Sequence, residues 1–530
     1  MPSTPPRVLI SDKLSDDAVK VFESRGIEVT FDPSLGKDKD KLLAALPGHQ
    51  GLAIRSATKV TADVLAAAPD LKVVGRAGIG VDNVDIEAAT AAGIAVMNTP
   101  FGNATTTAEQ AIAMMMALAR QIPQANESTQ AGRWEKSRFM GREMTGKTLG
   151  LIGCGNIGAI VADRAQGLHM KVVAFAPYLT EERAEALGVE RVDLDHLLAR
   201  ADVISIHTPL TDQTRGILGA EALSKAKRGV RLVNCARGGL VDEAALLDAL
   251  EAGQVAGAAL GVFEVEPATS NPLCGRDDVI CTPHLGASTE EAQENVAVQV
   301  AEQIADYLLT GAVTNALNMP SVSAEDAPRL KPYIRLAAKL GSLTGQLSAS
   351  SVQEIEVVYA GGVRDLNVAP MTSAAVAAAL RPVLQGVNTV NALAVARQRG
   401  VKITETRTDK SPSFGSTVSV RLVTENAERR VTGAVFGGEP RVVRLGEVRL
   451  EASFAPYMLY VVNQDRPGFI GSLGDRLGQA DLNIATFNLG REAAGGEAVA
   501  LVAVDDAVSD KVLTAVRALP QVKAAQALKF

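Results

Sequence analysis

Residues 148–158 read Thr-Leu-Gly-Leu-Ile-Gly-Cys-Gly-Asn-Ile-Gly, an apolar run that passes directly into a glycine-rich turn. The run predicts a buried strand, and a helical pattern follows from about Ala159. In such a turn Gly153 permits the tight bend, Gly155 lets the backbone approach a pyrophosphate, and Gly158 lets the helix pack closely on the strand. The free N–H groups at the start of the helix favour phosphate oxygens. A dinucleotide site is therefore predicted, with a plain turn as the alternative.

The carboxylate that usually completes such a site is missing. An Asp or Glu is expected at the end of the next strand, about 20 residues on, where it bonds the ribose hydroxyls of the dinucleotide. Ala176 and then Pro177 occupy that position. Because a charge-assisted hydrogen bond contributes about 1.5–3 kcal/mol, we expect weaker binding of NAD and less rejection of a 2′-phosphate. Arg183 lies further along and could reach such a phosphate, although a solvated helix residue is the simpler interpretation.

Segments of strand length alternate with segments of helix length on both sides of this turn. Short apolar runs at 7–10 and 51–55 precede it, and similar runs at 203–207 and 255–260 follow it. This alternation predicts an α/β protein with two doubly wound parallel sheets.

The pattern changes from about Asn318. Residues 319–321 read Met-Pro-Ser and predict a boundary, after which helices mix with strands rich in Val, Thr and Arg to about Glu451. From Met458 to Phe530 the order strand, helix, strand, strand, helix, strand predicts a ferredoxin-like unit.

Composition limits the classes of function. The 530 residues include 53 Lys and Arg against 60 Asp and Glu, a net charge of −7 that disfavours a non-specific nucleic-acid binder. The four cysteines lack the spacing of a zinc site or a disulfide framework, so no metal is expected. The apolar helical stretch 111–119 is too short to cross a bilayer, and the N-terminus does not read as a signal peptide. We expect a soluble, cytoplasmic protein without nucleic-acid or membrane partners.

A chemical trio follows the glycine-rich turn. Arg237 stands in Asn-Cys-Ala-Arg-Gly-Gly, Glu266 in Glu-Val-Glu-Pro and His284 in Thr-Pro-His-Leu-Gly-Ala-Ser-Thr. An imidazole titrates near neutral pH, so it can take and return a hydroxyl proton, and a carboxylate can tune it. A planar guanidinium can grip the carboxylate and the reacting oxygen of a substrate. Beside a dinucleotide site, this trio predicts reversible hydride transfer on a 2-hydroxy acid.

The chain resembles the D-isomer-specific 2-hydroxyacid dehydrogenases over essentially its whole length. The blocks that carry the resemblance are 55–58, 75–85, 153–158, 234–239 and 284–289. The resemblance, strongest to the long members of the family, implies four domains. They are a flavodoxin-like substrate-binding domain (1–98 and 287–318), a Rossmann nucleotide-binding domain (99–286), an α+β intervening regulatory domain (319–452) and a ferredoxin-like ACT domain (453–530).

This resemblance also implies a reaction. It is the NAD-dependent oxidation of 3-phospho-D-glycerate to 3-phosphohydroxypyruvate, the first step of phosphorylated L-serine biosynthesis. His284 would be the acid and base, Glu266 would tune it, and Arg237 would bind the substrate. A homo-oligomer, either a tetramer or a dimer, is expected. Two other interpretations stay open: a dehydrogenase of another 2-hydroxy acid, such as 2-hydroxyglutarate, and a non-enzymatic nicotinamide-sensing binding protein.

The family's binding residues carry over position by position. The implied cofactor contacts are Gly153, Gly155, Asn156, Ile157, Gly158, Ala176, Pro177, Thr208, Pro209, Cys235, Ala236, Gly261 and Gly286. The implied substrate contacts are Arg55, Ser56, Ala77, Gly78, Asn103 and Lys136, the last in its own or a neighbouring subunit. Gly261 stands where the family usually has Asp, so two cofactor-facing carboxylates are absent and NADP becomes possible beside NAD. For an amino-acid effector, expected to be inhibitory serine, the ACT resemblance implies Asn463, Asp465 and Asn483.

Overall fold

The computed structural model of the protein describes residues 4–322, 326–348, 350–409 and 414–530. The N-terminal part forms a parallel sheet of five strands. These are β1 (Arg7–Ile10), β2 (Glu28–Phe31), β3 (Gly51–Ile54), β4 (Val73–Arg76) and β5 (Ala95–Asn98). The helices that connect them are α1 (Asp16–Ser24), α2 (Lys39–Ala45), α3 (Ala62–Ala66) and α4 (Ile86–Ala91). The strand order is β2-β1-β3-β4-β5, the flavodoxin-like doubly wound order.

A second parallel sheet has seven strands. They are β6 (Thr148–Ile152), β7 (Lys171–Phe175), β8 (Glu190–Arg191), β9 (Val203–Ile206), β10 (Val230–Asn234), β11 (Val255–Leu260) and β12 (Val279–Cys281). Its helices are α5 (Ala104–Arg120), α6 (Ile122–Gln130), α7 (Asn156–Gly167), α8 (Glu181–Ala186), α9 (Leu194–Arg200), α10 (Ala220–Lys225) and α11 (Glu243–Glu251). The order β12-β11-β10-β9-β6-β7-β8 reverses direction between β6 and β9. Open sheets of this kind bind ligands outside the carboxyl ends of the strands at such a reversal.

Helix α12 (Glu290–Thr310) returns the chain from the second sheet to the first. It buries Val296, Val300 and Ile304, which join the apolar core on one face of the first sheet. A Cβ added at Gly75 in β4 would lie 2.6 Å from side-chain atoms of both Ile304 and Val300. The helix therefore packs directly on the backbone of the sheet. The first unit thus combines residues from the beginning and from the end of the segment 1–318.

The next unit is a mixed sheet of six strands covered by helices. The strands are β13 (Val352–Gly361), β14 (Lys402–Thr408), β15 (Ser416–Thr424), β16 (Glu428–Phe436), β17 (Glu439–Leu445) and β18 (Val448–Ser453), in the order β14-β13-β15-β16-β17-β18. The helices are α13 (Ala327–Gln346), α14 (Ala369–Leu380) and α15 (Ala392–Gln398). Helices α13 and α14 cross at glycines, since a Cβ at Gly341 or Gly345 would lie 2.2 or 2.3 Å from a carbonyl oxygen of α14.

The C-terminal unit is an antiparallel sheet of four strands with two helices. Its elements are β19 (Tyr457–Gln464), α16 (Phe469–Gly478), β20 (Ile484–Arg491), β21 (Glu497–Val504), α17 (Asp510–Arg517) and β22 (Val522–Lys529). The strand order β20-β21-β19-β22 is that of a ferredoxin-like unit.

The predicted fold class is confirmed: two doubly wound parallel sheets precede a mixed α+β unit and a ferredoxin-like unit. The exact domain bounds stay predictions. The strands predicted at 51–55 and 203–207 each end one residue earlier, since Arg55 and His207 lie just after the strand. Within the described ranges, none of the helices combines the length and the apolar character needed to cross a bilayer. The cytoplasmic location remains a prediction.

Candidate active site

The carboxyl ends of the two parallel sheets face each other across a cleft. Two adjoining cavities fill it: a nucleotide-side cavity of about 440 Å³ and a substrate-side cavity of about 780 Å³. The side chains that line both include Arg76, Asp82, Asn103, Arg237 and His284. The cleft thus joins a site for a dinucleotide to a site that carries several cations.

The glycine-rich turn fits the pyrophosphate of a dinucleotide. Gly153 has a φ of +96°, and a Cβ at Gly158 would lie 2.3 Å from the Gly153 carbonyl oxygen. Both positions therefore require glycine. Gly155 faces open space, and α7 begins at the next residue, which places the N–H groups of its first turn beside that space. The turn offers room and donors for a phosphate.

The other predicted cofactor residues divide into three groups. Those that line the nucleotide-side cavity are Asn156, Ile157, Thr208, Pro209, Cys235, Ala236 and Gly286. Ala176 and Pro177 directly follow β7, at the edge of the glycine-rich turn, where Gly153 N donates to the carbonyl of Phe175. Gly261 is buried behind the cavity wall, and a Cβ there would lie 3.3 Å from Cys235 Sγ.

Glu266 and His284 form a hydrogen-bonded pair in the substrate-side cavity. His284 Nδ1 lies 2.9 Å from Glu266 Oε2, and Glu266 Oε1 accepts from the backbone N–H of Phe263 at 3.1 Å. His284 has a left-handed backbone with a φ of 55°, a conformation that is sparse for residues other than glycine and frequent at functional sites. The backbone of His284 is held by its N–H, which donates to the carbonyl of Gly261 at 2.9 Å. Because Nδ1 is engaged, Nε2 is the nitrogen left for proton transfer.

Arg237 projects from the loop after β10 toward the first sheet. Its Nε donates to Asp82 Oδ2 at 2.9 Å, and its Nη1 donates to the carbonyl of Ala236 at 2.6 Å. Asn234 shapes the loop, since its Nδ2 donates to the carbonyl of Arg237 at 2.9 Å. A Cβ at Gly238 would lie 1.9 Å from the carbonyl oxygen of Phe263, so this loop packs directly on the segment that carries Glu266. The structure brings the trio together.

Arg55 stands on a tightly held loop at the other end of the substrate-side cavity. The buried carboxylate of Asp12 accepts from the N–H of Arg55 at 2.5 Å, from the N–H of Thr58 at 3.2 Å and from the Thr58 hydroxyl at 2.9 Å. Arg55 Nη1 also donates to Gln293 of α12. The predicted residues Ser56, Ala77, Gly78 and Asn103 line the same cavity.

Arg76 is a site residue that sequence reasoning missed. It lines both cavities, and its guanidinium lies over Gly78, where a Cβ would be 1.8 Å from Nη1. Burial, and after it the neighbouring charge of Arg237, lowers the pKa of Arg76 to about 10. Among the described residues, none accepts a hydrogen bond from the buried Nε of Arg76. Its position in the block that carries the family resemblance was the available signal.

Comparison with known proteins identifies the family. The model for the NAD binding domain of D-isomer specific 2-hydroxyacid dehydrogenases matches residues 112–286, and the model for the D-3-phosphoglycerate dehydrogenase intervening domain matches residues 329–446. The D-3-phosphoglycerate dehydrogenase of Bacillus subtilis is 42% identical over 520 residues, 97% of this chain and 98% of its own. That of Synechocystis sp. is 39% identical over 527 residues, 99% of this chain and 95% of its own.

The chain belongs to the D-3-phosphoglycerate dehydrogenase family. The match extends through the intervening and ferredoxin-like units, because these relatives align over nearly their whole length. A solved structure is similar over part of this chain. A glyoxylate reductase from Paecilomyes thermophila is 30% identical with a TM-score of 0.56, and the match covers 60% of this chain and 99% of that one. The predicted family and its nicotinamide chemistry are confirmed.

Lys136, the remaining predicted substrate residue, lies outside both cavities. It stands on an exposed segment after α6, next to Trp134, whose side chain is 86% exposed. The structure of the single chain therefore does not bring Lys136 to the cleft.

The predicted effector residues lie at two ends of the C-terminal sheet. Asn463 and Asp465 are at the end of β19, where Asp465 Oδ2 accepts from Arg491 Nη1 at 2.6 Å and from the N–H of Gly495 at 3.0 Å. Asn483 precedes β20 and donates to Asp505 at 2.7 Å. On the neighbouring strand β21, Asn463 pairs with Ala498, and Ile484, which follows Asn483, pairs with Val504. Ala498 and Val504 are six residues apart, so the two ends are separated by roughly 20 Å at a rise of about 3.3 Å per residue. One chain does not bring the three residues together.

The buried carboxylate of Asp12 offers a test of the Arg55 loop. We expect Asp12→Ala to lower the free energy of unfolding by about 1–3 kcal/mol, because it leaves the N–H groups of Arg55 and Thr58 without their acceptor. Urea unfolding measures the change. The matched control is Asp212→Ala in an exposed turn, which should leave the midpoint unaltered. Equal midpoints for both variants would contradict a role of Asp12 in holding the loop.

Proposed function

We propose that the protein catalyses the reversible oxidation of 3-phospho-D-glycerate to 3-phosphohydroxypyruvate with a nicotinamide dinucleotide, the first step of phosphorylated L-serine biosynthesis. Membership of the family gives the reaction class. The observation that carries the substrate is the cluster of Arg55, Lys59, Arg76 and Arg237 around the substrate-side cavity. Burial, and after it the charge of Arg237, lowers the pKa of Arg76, and a substrate with a carboxylate and a phosphate would stabilise the charged guanidinium groups.

The trio performs the proton chemistry in this proposal. A nicotinamide bound in the nucleotide-side cavity would supply the hydride transfer to and from C2 of the hydroxy acid. His284 Nε2 takes the proton of the C2 hydroxyl, a role that contributes on the order of 10²–10⁴-fold in rate. Glu266 holds the ring through Nδ1 and stabilises the imidazolium that forms. The guanidinium of Arg237 binds the substrate carboxylate and polarises the reacting oxygen.

Arg55 and Arg76 bind the phosphate end in this arrangement. Arg55 has its backbone fixed by Asp12, whereas Arg76 presents a buried donor that needs an acceptor. Ser56 and Asn103 add polar groups to the same cavity. Lys136 would reach a neighbouring subunit, since it lies outside the cleft of its own chain on an exposed segment beside Trp134. This interpretation requires a homo-oligomer, which we also propose.

Arg76→Ala tests the phosphate assignment. The variant should lower kcat/KM with 3-phosphohydroxypyruvate by about tenfold or more, because a hydrogen bond to a charged group contributes about 1.5–3 kcal/mol. With hydroxypyruvate, which lacks the phosphate, kcat/KM should stay within about twofold of that of the original protein. Oxidation of NADH and NADPH at 340 nm measures both. An equal loss with the two substrates would contradict the phosphate assignment. If the unaltered protein reduces neither substrate, the proposed function is wrong.

The cofactor is proposed to bind without strong discrimination between NAD and NADP. Ala176 presents a methyl group where a carboxylate would bond the ribose and repel a 2′-phosphate. Arg183 adds a positive charge near the glycine-rich turn. Burial raises the pKa of the Cys154 thiol in that turn, and the charge of the nearby Arg183 guanidinium opposes the rise. A cation near the glycine-rich turn supports acceptance of NADP.

Restoring the carboxylate tests this proposal. Ala176→Asp should tighten NADH about tenfold or more and weaken NADPH, because it adds one charge-assisted hydrogen bond and one repulsive charge. Arg183→Ala should weaken NADPH and leave NADH unchanged. Cofactor titration followed by nicotinamide fluorescence measures the dissociation constants. Tight NADH binding with strong rejection of NADPH by the unaltered protein would contradict the proposal.

Serine is proposed as an inhibitor that binds the ferredoxin-like unit through Asn463, Asp465 and Asn483. The buried Asn463 has a side-chain Oδ1 without a hydrogen-bond partner in the described part of the chain, and Asp465 lies next to it. Since Asn483 is at the opposite end of the sheet, a complete site requires two chains arranged side by side. Asp465 would bind the amino group, while the two amides bind the remaining polar atoms.

Asp465→Ala should abolish inhibition by serine, because it removes the carboxylate proposed for the amino group. Initial rates with and without serine measure the effect, and turnover without serine should be unchanged. The matched control is Asp475→Ala, an exposed residue of α16, which should keep the inhibition. Unchanged inhibition in the Asp465 variant would argue against this site.

A further inference from the structure

Two neighbouring residues hold the two ends of the substrate-side cavity. Asp82 and Asn83 lie on the loop between β4 and α4. Asp82 bonds Arg237, which comes from the second sheet, and Asn83 bonds the loop of Arg55, which comes from the first. Two adjacent residues thus bond two different arginines of the substrate-side cavity, one through its side chain and the other through its backbone.

Asn83 fixes the shape of the Arg55 loop by several hydrogen bonds. Its Nδ2 donates to the carbonyl of Arg55 and to that of Thr58, both at 2.6 Å, and its own carbonyl accepts from the N–H of Val60 at 2.8 Å. Asp12 accepts from the N–H groups of Arg55 and Thr58 on the same loop. The N–H and the carbonyl of Arg55 are therefore both engaged, which sets the direction in which its side chain leaves the backbone.

Asp82 fixes the fork of Arg237. The ion pair is partly exposed, since 63% of the Asp82 side chain and 27% of the Arg237 side chain are accessible, so it contributes little to stability. Its consequence is orientation. With Nε on Asp82 and Nη1 on the carbonyl of Ala236, the guanidinium plane is held at two points. A Cβ at Gly80 would lie 1.5 Å from Nη2, so the fork rests directly on the backbone of the same loop.

The loop that carries both residues is itself anchored. The N–H of Asp85 donates to the carbonyl of Val60 at 2.9 Å, and the N–H of Val84 donates to the carbonyl of Val81 at 2.9 Å. Val60 and Val84 also form an isolated parallel bridge. A change in the position of this loop would therefore move Asp82 and Asn83, and with them the hydrogen bonds that hold both arginines.

We propose that Asp82 and Asn83 are positioning residues that set the distance and direction between the phosphate-binding and carboxylate-binding ends of the substrate site. Asn83 positions Arg55, and Asp82 positions Arg237 across the cleft. The inference rests on the proposed function, because it assigns the two arginines to opposite ends of one phosphorylated substrate. A misplacement of about 1 Å at a reacting or binding group costs on the order of 100-fold in rate, so such positioning matters for turnover.

Three isosteric exchanges on this one loop separate the roles. They are Asp82→Asn, Asn83→Asp and, as the matched control, Asp85→Asn, which keeps a good cap at the start of α4. Each is assayed with 3-phosphohydroxypyruvate and with hydroxypyruvate at a saturating cofactor concentration. Asn83→Asp should lower kcat/KM about tenfold or more with the phosphorylated substrate, mainly through KM, and about twofold or less with hydroxypyruvate. Asp82→Asn should lower kcat/KM about tenfold with both substrates, since both carry the carboxylate.

The pattern of losses decides the inference. Melting temperatures and cofactor fluorescence confirm that each variant is folded, and Asn83→Ala serves as a second variant if Asn83→Asp is not. Equal losses on both substrates for both variants, or no loss relative to Asp85→Asn, would overturn the positioning role. An original protein that is inactive with both substrates would instead overturn the proposed function, so the two failures remain distinguishable.

Discussion

The packing of α12 on the first sheet is the constraint on which the site depends. This helix begins six residues after His284, and its buried aliphatic side chains rest on the bare backbone of β3 and β4 at Gly51 and Gly75. Because the helix is fixed to the first sheet, the end of the second sheet that carries His284 must face the first sheet. The same helix supplies Gln293, which accepts a hydrogen bond from Arg55. One packing contact therefore brings proton-transfer and anion-binding groups to a single cleft.

Electrostatics in this cleft favours an anionic occupant over an empty site. Arg55, Arg76 and Arg237 converge there, and burial lowers the pKa of both Arg55 and Arg76. Protein groups satisfy them only in part: Arg237 is paired with an exposed Asp82, and the Nε of Arg76 lacks an acceptor among the described residues. Such incomplete pairing lowers the stability of the cleft on its own, and it leaves hydrogen-bond donors for the carboxylate and phosphate of a substrate.

The parts that could be predicted from the sequence are those encoded in contiguous residues. The glycine-rich turn, the alternation of strands and helices, and the trio of Arg237, Glu266 and His284 all belong to short blocks whose local conformation follows from residue type. Arg76 was missed because its role depends on lining the cleft together with Arg237, which is distant in sequence. Asp12 was missed for a similar reason, since it bonds a loop that begins 43 residues later. The separation of Asn463 from Asn483 follows from the antiparallel pairing of both β19 and β20 with β21, which places the end of β19 and the start of β20 at opposite ends of the sheet.

The pyrophosphate end of the proposed dinucleotide site does not depend on the residues at positions 176 and 261. The close contact of Gly158 with the Gly153 carbonyl and the start of α7 at Asn156 depend on backbone geometry, so the pyrophosphate site does not require Ala176 or Gly261 to be acidic. What Ala176 removes is a group that bonds ribose hydroxyls and repels a phosphate on one of them. In the proposed function, Ala176 therefore affects discrimination between dinucleotides more than the capacity to bind one. The proposed proton transfer at His284 and the proposed anion binding at the arginines do not involve that edge of the sheet, so they do not depend on cofactor preference.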